Sequence, residues 1–116
     1  MLTKQEIFNK AYAGLKAQGF QRAVRDAGPL AICQYRGRNG LKCAIGHLIP
    51  DENYCPTLEG KGAELLVVRE AANIPLDVPI SFLVDLQTCH DAGSSPEAMK
   101  RSLTVFSHQY NLKIED

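Results

Sequence analysis

Six prolines, at positions 29, 50, 56, 75, 79 and 96, confine regular structure in this chain to short pieces. A proline ring lacks a backbone N–H, clashes with the preceding turn of a helix and pushes the residue before it away from helical geometry. The fold must therefore be assembled from many short elements. Apolar runs are equally brief, as in Leu65-Leu66-Val67-Val68, so no membrane span is expected. With 116 residues the chain suits one domain, 1–116. Surface scaling predicts about 6,300 Å² exposed when folded against about 18,600 Å² unfolded, enough burial for a core without covalent staples. Hydrophobic residues at 45% and charged residues at 22% exclude a disordered chain.

Between the prolines, periodicity marks the helices. Thr3-Lys4-Gln5-Glu6 reads as a capping box. Ile7, Phe8, Ala11, Tyr12 and Leu15 follow at helical spacing, and Gly19 suits a left-handed stop. Residues 64–73 place Leu65, Val68 and Ala72 at compatible positions for a second helix. Pro79 suits the first turn of a third, which carries Ile80, Leu83, Val84, Leu86 and Gln87. Ser95, Pro96 and Glu97 open a fourth, with Met99, Leu103, Phe106 and Tyr110 as its apolar stripe. Ala27-Gly28-Pro29 marks a loop. Asn39-Gly40, between the apolar runs 30–35 and 41–43, is a strong short hairpin signal because both residues tolerate positive φ. A hairpin near residues 31–44 is expected, with Cys33 and Cys43 on opposing strands. The fold class this predicts is α+β, mostly α: about four helices packed around a small β-hairpin in a single compact domain.

The formal net charge of zero conceals two unlike halves. Residues 1–50 hold eight Lys or Arg and two acidic residues, while residues 51–116 hold five basic and eleven acidic ones. Arg22, Arg25, Arg36, Arg38 and Lys42 form a basic stretch that a nucleic acid could meet. The simpler reading pairs the two halves against each other, since a dedicated nucleic-acid domain is usually basic overall. Met1 is followed by Leu2-Thr3-Lys4-Gln5-Glu6 and not by an apolar segment with a cleavage site, so a cytoplasmic location is expected.

Four cysteines at 33, 43, 55 and 89 show no C-x-x-C spacing, and thiols reduced by the cytosol are the default. Two chemistries can be written from them. Cys43, at a strand-to-helix junction that would favour thiolate, could act as a nucleophile with His90 as base and Asp91 as its orienter, in a small hydrolase or deamidase. Neighbours on a helix point apart, which argues against the His90–Asp91 contact, and Asp85 or Asp51 would be substitutes. The plainer reading makes His90 a helix C-terminal residue that satisfies the last carbonyls. Alternatively Cys33, Cys43, His47 and Cys55 could hold zinc, although structural zinc sites show two close ligand pairs and only one is present. Neither arrangement is favoured. No catalytic residue, metal or other cofactor is expected.

Three blocks carry a resemblance: Cys33-Gln34-Tyr35-Arg36, Gly40-Leu41-Lys42-Cys43-Ala44-Ile45-Gly46 and Leu48-Ile49-Pro50-Asp51-Glu52-Asn53-Tyr54. Together with Thr3–Phe8, Glu59-Gly60, Leu86-Gln87 and His90-Asp91, the chain resembles a widespread family of small uncharacterised proteins of tailed phages, prophages and proteobacteria. The resemblance implies no catalytic residues. It implies a mobile-element setting, in which small accessory proteins bind a host or defence-system protein and inhibit it, a CRISPR inhibitor being one such case. The expected working surface is Tyr35, Arg36, Arg38, Asp51, Glu52 and Tyr54, because Arg and Tyr combine contact area with directional hydrogen bonding. The unlike halves would also permit a homodimer.

Overall fold

The computed structural model describes residues 2–25 and 32–114. Helix α1, Lys4–Ala17, starts at the capping box that its sequence predicts: Thr3 Oγ1 accepts the Glu6 N–H at 3.1 Å, and Glu6 Oε1 accepts the Thr3 N–H at 3.0 Å. Ile7, Phe8, Ala11, Tyr12 and Leu15 form its buried face, and Gly19 at φ 71° turns the chain away. Helices α2 (Leu66–Ala71), α3 (Ile80–Asp91) and α4 (Pro96–Gln109) follow. Ser95 caps α4 by accepting the Ala98 N–H at 3.1 Å. Aromatic rings join three of the four helices. Phe106 of α4 stacks on Phe8 of α1 at 5.7 Å and tilts against Phe82 of α3 at 5.2 Å. Burying such a ring stabilises the fold by about 1.5–3 kcal/mol. The accessible surface, 6543 Å², is close to the value that size alone predicts.

The structure corrects the α+β expectation: the fold is helical, and among the described residues no hairpin spans 32–44. Asn39 and Gly40 do take positive φ, 58° and 75°, but inside a 3-10 turn, Arg38–Gly40. The two arms of this turn exchange Gly37 N–H to Leu41 O at 2.7 Å and Cys43 N–H to Gln34 O at 3.2 Å, but among the described residues no strand ladder extends from these bonds. The Gln18 side-chain amide donates to Lys42 O at 2.7 Å and accepts the Lys42 N–H at 3.1 Å. Cys43 O then accepts the His47 N–H at 3.2 Å, which starts a second 3-10 turn, Ile45–Leu48. The extended pairing among the described residues is a two-residue antiparallel match of β1 (Val24–Arg25) with β2 (Ile32–Cys33). Cys33 thus lies opposite Val24 and not Cys43. The side chains of Arg25 and Cys33, and the loop expected at Ala27-Gly28-Pro29, lie outside the described part.

Two further 3-10 turns, Asp51–Asn53 and Pro56–Leu58, follow Pro50 and begin at Pro56, as short proline-bounded segments require. The Ile45–Leu48 turn reaches α1 only because position 14 is glycine. A Cβ there would stand 2.3 Å from His47 Cγ. Gly46 is equally constrained, since its Cβ would lie 2.2 Å from Tyr35 O. Helix α2 is shorter than residues 64–73: Val68 and Ala72 are buried as expected, while Leu65 remains exposed. Among the described residues, no helix is long and apolar enough to cross a membrane.

Candidate interaction surface

Glu59 organises most of the predicted surface. Its Oε1 accepts the Tyr35 N–H at 2.9 Å, and its Oε2 accepts the Arg36 N–H at 3.1 Å and the Tyr54 hydroxyl at 2.7 Å. One half-buried carboxylate thereby ties residues 35–36 to the 3-10 turns that follow Pro50. Hydrogen bonds to an ionised acceptor are each worth about 1.5–3 kcal/mol, above the neutral average.

The Arg36 guanidinium lies 4.5 Å from the centre of the Tyr54 ring, donates to Ile49 O at 3.2 Å and pairs with Asp51 at 2.7 Å. The Arg36 side chain is 25% exposed and that of Asp51 85%. An ion pair with one partner so open to water adds little stability by itself. The cation–π contact and the carbonyl bond fix the guanidinium, which in turn positions Asp51. Burial pushes the Tyr54 hydroxyl up to about 12, with the hydrogen bond to Glu59 and the charge of that carboxylate adding to the effect. Tyr54 therefore stays a neutral donor to Glu59.

Of the six residues predicted for this surface, the structure brings Arg36, Asp51 and Tyr54 into direct contact and links Tyr35 to them through Glu59. Tyr35 is buried, and its hydroxyl donates to Lys61 O. Arg38, Asp51 and Glu52 are the exposed members. Asn53 fastens the 51–53 turn to α2 by donating to Ala71 O at 3.0 Å. Sequence reasoning missed Glu59 as the hub of this surface.

His90 is fully buried near the end of α3, and its ring reaches the backbone of Ala23. Its Nε2 accepts the Ala23 N–H at 2.9 Å, which places the ring proton on Nδ1, donated to Asp91 Oδ1 at 2.9 Å. The His90–Asp91 contact that helix geometry argued against is therefore made. Gln87 donates to the same Asp91 oxygen at 2.9 Å and accepts the Ile45 N–H at 3.1 Å, and Arg22 donates to Asp91 O at 2.9 Å. This cluster ties α3 to residues 22–23 and to the 45–48 turn. The imidazole's acceptor nitrogen is engaged by a backbone amide, and Cys43 is fully buried. A nucleophile must reach its substrate, and a base must have a free lone pair to take its proton.

Cys55 is exposed, with its sulfur accepting the Thr57 hydroxyl at 3.2 Å, and His47 Nε2 contacts Gln18 Oε1 at 2.9 Å. Among the described residues, no three His, Cys, Asp or Glu side chains are grouped to hold a metal. In the basic stretch, Arg22 and Arg36 are occupied by Asp91 O and by Asp51 and Ile49 O, which leaves Arg38 as its exposed arginine among the described side chains. Compared with protein-family models, with curated proteins and with solved structures, the chain matches none.

Proposed function

We propose that this chain is a small binding protein of the phage and prophage type, which attaches to a host or defence-system protein and modulates or inhibits it. The observation that carries the reading is the Glu59 network, in which Arg36, Tyr54 and Asp51 are locked together while Arg38, Asp51 and Glu52 face solvent. Charged groups presented on a pre-organised backbone lose little freedom when a partner arrives, and that raises affinity. Arg36 and Tyr54 support the surface, and the exposed charges on the 38–40 and 51–53 turns meet the partner. The thiol-enzyme alternative gains no support from a buried Cys43 and an amide-bound His90. Nor does a nucleic-acid reading gain support from arginines already committed to internal acceptors.

The test is affinity capture from a proteobacterial host lysate with the wild-type chain and with an Arg38→Glu, Glu52→Lys double variant. Both positions are exposed, so the melting temperature is expected to stay unchanged. A specific protein retained by the wild type is expected to bind the variant at least about tenfold more weakly. Equal retention by both chains overturns the assignment of this surface.

A further inference from the structure

Helices α3 and α4 run antiparallel, and two contacts set their register. The Tyr110 hydroxyl donates to Asp85 Oδ2 at 2.5 Å near one end, and the Cys89 thiol donates to Ser102 O at 3.5 Å near the other. A groove of about 360 Å³ lies between them. Its floor is formed by Cys89 and Phe106, both buried, and its edge carries Val105, which is 61% exposed. A protruding apolar side chain thus stands beside an apolar depression, a knob next to a hole.

The groove is charged at its two ends and with opposite signs. Asp85 lines it at the end shared with Gln109, and Arg101 lines it at the end shared with Ala92. Seven residues of α3 separate those ends, about 10 Å along the helix axis. Val105 sits midway, four residues from Arg101 and four from Gln109. Asp85 spends Oδ2 on Tyr110 and keeps Oδ1. Arg101 is exposed, and among the described residues no hydrogen bond or ion pair engages its guanidinium, Glu97 one turn earlier included. Asp91, next to Ala92, is turned away to His90 and Gln87.

We infer that this groove binds a second copy of the chain about a two-fold axis that crosses it at Val105. A two-fold interface sets one patch against itself, so it must be self-complementary. Rotation about that axis reverses the groove end for end. Asp85 of each copy then faces Arg101 of the other, and each Val105 enters the depression over Cys89 and Phe106 of its partner. An apolar centre with charges at the rim is the ordinary anatomy of such an interface, and the charges set its register. The formal net charge of zero leaves no long-range repulsion between copies.

The test is sedimentation velocity of the full chain from about 1 to 500 μM. A dimer is expected within that range. Val105→Lys and Arg101→Glu, both at exposed positions, are each expected to weaken it at least about tenfold while the melting temperature of the monomer stays unchanged. Leu76→Ser, 75% exposed on a different surface, leaves the dimer as it is. The two-fold pairing is read by mixing. Asp85→Lys and Arg101→Glu chains each place like charges together at both ends when alone, and one of each restores opposite charges at both ends, so the mixture is expected to dimerise more tightly than either. A chain monomeric at every concentration overturns the inference and leaves the groove to a different protein or a small ligand. A dimer undiminished by Val105→Lys or Arg101→Glu, one broken by Leu76→Ser, or a mixture no more associated than its components overturns it as well.

Discussion

The Glu59 carboxylate holds the Tyr54 hydroxyl at 2.7 Å and, with its two oxygens, also caps the Tyr35 and Arg36 amides. Two of these donors are backbone groups separated from Glu59 by 24 and 23 residues, so the carboxylate closes a large loop with no covalent bond. Replacing it with Ala leaves all three donors without their acceptor. Glu59→Ala is expected to cost about 2–4 kcal/mol, and Glu59→Gln, which keeps one acceptor oxygen, roughly half of that. Urea denaturation of the three chains measures it. A loss under about 0.5 kcal/mol in Glu59→Ala would show the hub to be dispensable.

His47 should make the fold sensitive to mild acid. Burial, reinforced by the charge of Lys42, lowers its ring to about 4 from 6.5. Between those values the unfolded chain binds a proton that the folded chain does not, so stability rises with pH there and is lost as pH falls from 6.5 through 4. In His47→Gln this contribution is gone. The expected result is a flatter dependence of the denaturation midpoint on pH across that window. An unchanged slope in the variant would assign the acid sensitivity to other groups.

Gly14 gives a case where helix propensity and packing oppose each other. Alanine in the interior of α1 would favour the helix by about 0.5–1 kcal/mol. The added Cβ, however, would meet the His47 ring 2.3 Å from Cγ and force it off the Gln18 contact. Overpacking of this kind costs about 1–3 kcal/mol, so Gly14→Ala is expected to destabilise the wild-type chain. In a His47→Ala background the same substitution should stabilise. A double-mutant cycle by thermal denaturation reads the sign change, and additivity within error would refute the contact.

What could be read in the sequence and what could not divides along distance in the chain. The capping box at Thr3, the Ser95 cap and the stripe Met99, Leu103 and Phe106 depend on neighbours three or four residues away, so their spacing reveals them. The positive φ of Asn39 and Gly40 is likewise local and was legible. Whether a strand pair grows from that turn is a tertiary question: the arms share only the Gly37–Leu41 and Cys43–Gln34 backbone bonds, while Gln18, 24 residues away, holds both backbone groups of Lys42. No periodicity encodes that arrangement. The same limit hid Glu59, whose partners lie in another part of the chain, and the engagement of His90 with the Ala23 amide. The Arg36, Asp51 and Tyr54 cluster was nearer to view because its residue types suit one another, although not its support from beneath.

The cysteines should separate sharply in reactivity. Cys43 is fully buried, and burial, with the nearby Asp85 charge, pushes the Cys89 thiol up to about 11. Cys55 is exposed, and hydrogen bonds from Thr57 lower its thiol, with a smaller contribution from Lys61. Since the thiolate is the reactive form, Cys55 should alkylate fastest of these three at neutral pH, Cys89 slowly, and Cys43 only when the chain unfolds. Thr57→Val removes the hydroxyl donor and should slow Cys55 without affecting the other two. Site-resolved mass spectrometry of iodoacetamide labelling across pH gives each rate. Fast labelling of Cys43 in the folded chain, lost in His90→Ala, would contradict the buried, amide-bound arrangement and reopen a catalytic role for that pair.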